Sequence, residues 1–140
     1  MEVVGPQELR GLVAHDEMTS SWVVPQVRAV TSPYGQPGSD GPAGLVVDPC
    51  LVLGITGALL PRVVRVGGRR HALNYGLDDV RFRSPLAHGD RLRMAVRLDV
   101  VDGPGEWLDA RWATTTEGPS AGRVLISAVL IVRYFFDGSR

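Results

Sequence analysis

Hydrophobic and polar residues alternate through the second half of the chain, and the alternation disappears in its middle. Between residues 91 and 101, Leu92, Met94, Val96, Leu98 and Val100 face one way, while Arg91, Arg93, Arg97 and Asp99 face the other. This is the pattern of a half-buried antiparallel strand. Residues 107–116 place Leu108, Ala110 and Trp112 on one face. Residues 124–136 are apolar on both faces, as a central strand should be. Asp102-Gly103-Pro104-Gly105 and Gly118-Pro119-Ser120 are turn sequences between these runs. Residues 71–82 read as one more extended segment, bent at Gly76.

The middle of the chain has a different signature. Asp48-Pro49-Cys50 is a helix start: Asp48 can accept hydrogen bonds from free backbone N–H groups, and proline suits the first helical position. The helix is expected to run to about Leu60, with Pro61 near its end. Cys50, Leu51, Val52, Leu53, Ile55, Ala58, Leu59 and Leu60 leave it no polar face. That predicts a helix buried on most sides, with Leu53 and Ile55 nearly free of solvent. Gly54 and Gly57 weaken the helix intrinsically, so their expected use is close backbone approach.

Upstream, Gly5-Pro6 leads into a short helix over residues 7–14, and residues 20–24 suit a first strand. Residues 25–30 read as helical. Residues 31–44 hold four glycines and three prolines with no periodicity. A loop of this length in a chain of 140 residues is a functional candidate. The order predicts an α+β fold over residues 1–140, a single domain in which an antiparallel sheet of about four strands curls around one buried helix.

Composition narrows the chemistry. Formal net charge is zero, which argues against nucleic acid or an anionic membrane as the main partner. There is no lysine, so a lysine Schiff base is closed as a route. Cys50 is the only cysteine, so no intrachain disulfide or thiolate metal cluster is possible, and neither metal nor cofactor is expected. These features fit a reducing cytoplasm. The first residues lack the pattern of a signal peptide. The longest apolar stretch, residues 45–60, is broken by Asp48-Pro49 and is short for a bilayer span.

Leu73-Asn74-Tyr75-Gly76-Leu77-Asp78-Asp79-Val80-Arg81-Phe82, followed by Ser84-Pro85 and Gly89-Asp90-Arg91-Leu92-Arg93, resembles the strand-turn-strand signature of MaoC-like hydratases and dehydratases. Residues 44–61 are similar to that family's central helix. Ser21-Trp22 and Val132-Arg133-Tyr134 match in place. The resemblance implies a hotdog fold, a homodimer, and action on acyl thioesters of coenzyme A or acyl carrier protein. It also implies an aspartate and a histidine in the loop before the helix, where water and a carbon-bound proton are handled. Backbone N–H groups at the helix start would polarise the thioester carbonyl. This chain departs from the pattern there. Tyr34-Gly35-Gln36 stands where the family has Thr-Gly-Asp, and the histidine position falls near Asp40-Gly41. Val47-Asp48-Pro49 replaces a common Ala-His-Gly.

Each candidate has a plain structural alternative. Asp48 is the first choice as base or nucleophile, or else it is only a helix cap. Gln36 could orient a carbonyl or a water, Tyr34 could donate a proton or pack as a lid, and Asp40 could be solvated loop. Cys50 lies beside these groups as a substrate contact or a small core residue. Asn74 is a further substrate contact. Arg62 and Arg65, with Arg69 and Arg70, could grip phosphates or form a solvated basic loop. His71 and His88 could face a site; for His88, in a turn before a strand, the plainer reading is a surface histidine, and His71 at the start of a strand is open to both readings.

Three functions are compatible with these residues. The first is a diverged dehydratase/hydratase-type lyase acting on an acyl thioester or a polyketide-derived intermediate. The second is a hotdog thioesterase using Asp48. The third is a cyclase-like protein or a non-catalytic partner subunit.

Overall fold

The computed structural model describes residues 1–25, 30–31, 45–120 and 122–136. In chain order the elements are β1 (Glu2–Val4), α1 (Gly5–Gly11), a 3-10 turn (Leu12–Ala14), β2 (Met18–Thr19), β3 (Val30–Thr31) and β4 (Leu45–Val46). Then come α2 (Pro49–Val63), β5 (Arg65–Gly67), β6 (Arg69–Phe82), β7 (Arg93–Asp102), β8 (Trp107–Glu117) and β9 (Val124–Phe136). Five strands form one antiparallel sheet in the order β2-β7-β8-β9-β6. β1 pairs with β5 in parallel and β3 with β4 antiparallel. This is the α+β arrangement of a hotdog fold, with α2 packed on the inner face against β7 and β9.

The alternation in the sequence builds that inner face. Leu92, Met94, Val96, Leu98, Leu108, Ala110 and Trp112 are all buried. Val100 breaks the rule. A register shift between Leu98 and Val100 turns it outward, and Val101 packs on the core instead. Strand side chains alternate with period two, so one extra residue flips everything after it.

The amino-terminal half differs more from expectation. The predicted strand at 20–24 is β2 at Met18–Thr19 plus a single bridge from Val23 to Leu92. Val30, expected to end a helix, lies in a strand, and residues 26–29 fall outside the described residues. Residues 32–44, with Tyr34, Gln36 and Asp40, are outside them too.

α2 begins as expected but is longer, and it is not buried all round. Pro61 lies inside it, and the Val64 N–H still reaches the Leu60 carbonyl at 2.9 Å to close the last turn. Val52, Thr56, Leu59, Leu60 and Val63 are buried, spaced as one helical face. Leu53 and Ile55 are only half-buried, and Cys50, Leu51, Gly54, Ala58 and Pro61 are exposed. The sheet covers one face, and none of the described residues covers the opposite apolar face. Gly54 and Gly57 do not serve close backbone approach either: a Cβ at either would meet nothing within 4 Å.

β6 is an edge strand, paired on one side by β9. The outer face ties it down. The Arg133 guanidinium lies 4.2 Å from the Tyr75 ring and 4.0 Å from the Trp107 ring, and it donates to both Asp109 oxygens at 2.7 and 2.9 Å. Arg111 donates to Asp78 at 2.6 Å.

Candidate functional site

A groove of about 640 Å³ opens between α2 and the inner faces of β6 and β9. Its helix wall is Cys50, Leu53, Gly54, Gly57 and Ala58, and its floor includes Asn74, Leu77, Leu130 and Val132. Asn74 and Leu77 are three residues apart and would face opposite ways in a regular strand. They share the groove because the register shifts between Asn74 and Gly76, so that Asn74 opposes Val132 and Leu77 opposes Leu130. The two glycines form the helix wall without side chains, which leaves the groove its width.

Towards the end of α2 the groove continues into a hollow of about 500 Å³, and the two share Gly57, Leu60, Asn74 and Val132. Here the lining turns polar: Glu2, Arg65, Arg69, Asn74 and Tyr134. Burial pushes Tyr134 up to about 12, against smaller opposing pulls from Trp112 and Arg69, so its hydroxyl stays protonated at neutral pH. A larger depression, about 800 Å³, lies on the outer face between His15, Asp16, Glu17, Arg97 and Ser127. It holds none of the candidate residues named from the sequence, and its charged rim is open to solvent.

Asp48 stands at the start of α2 and is half-buried. Its Oδ1 accepts the Cys50 N–H at 2.8 Å, and its carbonyl accepts the N–H groups of Leu51 and Val52 at 2.9 and 3.1 Å. Pro49 has no N–H to offer. The first amides of the helix are therefore already bonded, which corrects the expectation that they are free to polarise a thioester carbonyl. Asp48 is a cap in fact, and its second oxygen, Oδ2, has no hydrogen-bond partner among the described residues.

Cys50 is exposed on the groove wall, not a core residue, because none of the described residues covers the helix face it occupies. No histidine lines the groove. His71 stacks on Phe135 across the outer face, with ring centroids 4.4 Å apart, and His88 is exposed in a turn, as the sequence suggests. Arg62 is exposed on the last turn of α2. Along a helix it lies about 20 Å from Asp48, so Arg62 and its neighbour Arg65 belong to the opposite end of the groove. The structure thus brings Cys50 and Asn74 to the groove and Arg65 to the hollow. Arg69, named with Arg65 as a phosphate-gripping candidate, lies in the hollow too, and Leu77 and Tyr134 join them without having been singled out as site residues. For Leu77 the missing signal is the bulge, which no alternation rule reveals.

No family model matches the chain. Over 85 residues, 57% of this chain, it is 38% identical to a Mycobacterium tuberculosis protein named 3-hydroxyacyl-thioester dehydratase Z. The Mycobacterium bovis protein of the same name matches equally. The match spans 56% of those relatives, little more than half their length. Among solved structures, a MaoC-like dehydratase from Rhodospirillum rubrum superposes with a TM-score of 0.62 at 13% identity, covering 89% of this chain and 93% of that one. A monoamine oxidase regulatory protein from Archaeoglobus fulgidus gives 0.61 at 12% identity, covering 87% and 90%. The structures show a hotdog fold shared with a MaoC-like dehydratase, and the mycobacterial proteins show sequence similarity over little more than half of the chain.

Proposed function

We propose that this chain is a hydratase/dehydratase-type lyase for acyl thioesters, with the acyl chain lying in the groove between α2 and β6. The observation that carries the reading is the groove itself: an apolar channel with Gly54 and Gly57 in its helix wall, which begins at Cys50, two residues after the capping carboxylate of Asp48. The kinship to a protein named as a 3-hydroxyacyl-thioester dehydratase supports the substrate class. In the hydration direction, water adds its oxygen to C3 of a 2-enoyl thioester and C2 takes a proton. Oδ2 of Asp48 is the group proposed to accept the water's proton. Gln36, Tyr34 and Asp40, from the segment before the helix, are proposed to complete the site in place of the usual aspartate and histidine. The carrier is proposed to be coenzyme A or acyl carrier protein.

We further propose a homodimer, joined along β6. That edge exposes Leu73, Tyr75, Leu77 and Phe82, each about half accessible, and its outer N–H and C=O groups face no strand among the described residues. Such an edge invites pairing. The test combines light scattering with an absorbance assay on a series of 2-enoyl-CoA thioesters. The reading predicts a dimer and slow turnover on at least one medium-chain substrate. Release of free thiol instead would make the protein a thioesterase.

A further inference from the structure

We propose that the hollow at the end of α2 binds a carboxylate at the far end of the acyl chain, so that the preferred substrate is a thioester of a medium-chain dicarboxylic acid. This rests on the groove being the acyl site. The groove and the hollow are continuous, sharing Gly57, Leu60, Asn74 and Val132. A chain with its thioester near Asp48 runs beside the helix past Cys50 and Gly54 before reaching Gly57. From Cys50 to the turn between Gly57 and Leu60 the helix rises by roughly 10–15 Å, the length of about eight to twelve chain carbons.

An apolar chain end would be poorly served there. The lining sets two guanidiniums, Arg65 and Arg69, against one carboxylate, Glu2. The balance is positive, and arginine forks match a carboxylate. Tyr134 and Asn74 are further polar residues in the same lining.

Calorimetric titration of the full chain with decanoyl-CoA and with the mono-CoA thioester of decanedioic acid tests the idea. Wild type should bind the dicarboxylic thioester about tenfold more tightly, or better. Arg69→Met should abolish that preference and leave decanoyl-CoA binding within about twofold. Tyr134→Phe, which keeps the ring in place, should reduce the preference several-fold, and thermal unfolding confirms that both variants fold. Equal binding of the two thioesters by wild type would overturn the proposal while leaving the groove reading intact. So would a loss on Arg69→Met that appears equally for free coenzyme A, because the hollow would then hold the carrier's phosphate. Failure of wild type to bind either thioester would remove the groove reading and this proposal with it.

Discussion

The hydroxyls of Thr56 and Thr116 lie 2.6 Å apart, fully buried between the middle of α2 and the end of β8. Thr56 also donates to the Val52 carbonyl one turn back, at 2.9 Å, which uses its only hydroxyl hydrogen. Thr116 must therefore be the donor between the two. This bond fixes how far the helix stands from the sheet, and so the depth of the groove on the helix's other side.

Replacing Thr56 by valine keeps the shape and leaves the Thr116 hydroxyl buried without a partner. It should cost about 1–3 kcal/mol in chemical unfolding. Replacing both by valine should cost less than the sum of the single changes, because neither orphan remains. Simple additivity would show that the two hydroxyls do not act as a pair.

Glu117, next to Thr116 at the end of β8, sets an acid limit on stability. Its carboxylate accepts the Gly122 N–H at 2.8 Å and the Arg93 guanidinium. The Gly122 bond lowers its pKa below the usual 4.5, burial opposes this, and Arg93 adds to it. A depressed carboxylate contributes stability that is present above the unfolded value and is lost as pH falls through the folded one. Unfolding measured at neutral pH and at a pH well below 4.5 should show Glu117→Gln destabilised at the higher pH and its deficit smaller at the lower. An equal deficit at both would put the effect in packing instead.

Asp48→Asn separates capping from chemistry. Asparagine caps about as well as aspartate, so the melting temperature should hardly move. Turnover should fall by about 10² or more if the carboxylate takes the proton. Asp48→Ala should cost about 0.5–2 kcal/mol of stability. Unchanged turnover in Asp48→Asn would leave Asp48 as a cap and favour the non-catalytic or cyclase-like alternative.

The sheet was legible because its cause is local. Period-two alternation around Met94 and Trp112 needs nothing beyond the strand itself, and Asp48-Pro49 marks a helix start by the chemistry of two residues. The helix's surroundings were not legible. All-round apolarity says that α2 must be covered, but not by what, and no described residue covers its face at Leu51, Gly54 and Ala58. Gly54 and Gly57 were visible but misread, since a missing side chain admits either a neighbouring backbone or a ligand, and only the empty space beside them decides. Arg69 and Tyr134 lie far apart in sequence and meet only through the β6–β9 pairing.

The central claim is that an acyl chain occupies the groove beside Gly57. A Cβ at position 57 would meet nothing within 4 Å, so Gly57→Leu extends a side chain into that space from the helix. Gly57→Ala serves as a control and should be more stable by about 0.5–1 kcal/mol, because alanine favours the helix. The measurement is the affinity of each protein for decanoyl-CoA. Wild type should bind, and Gly57→Leu should bind at least about tenfold more weakly, about 1.4 kcal/mol, with its fold intact. Equal affinity in wild type and Gly57→Leu would contradict the account.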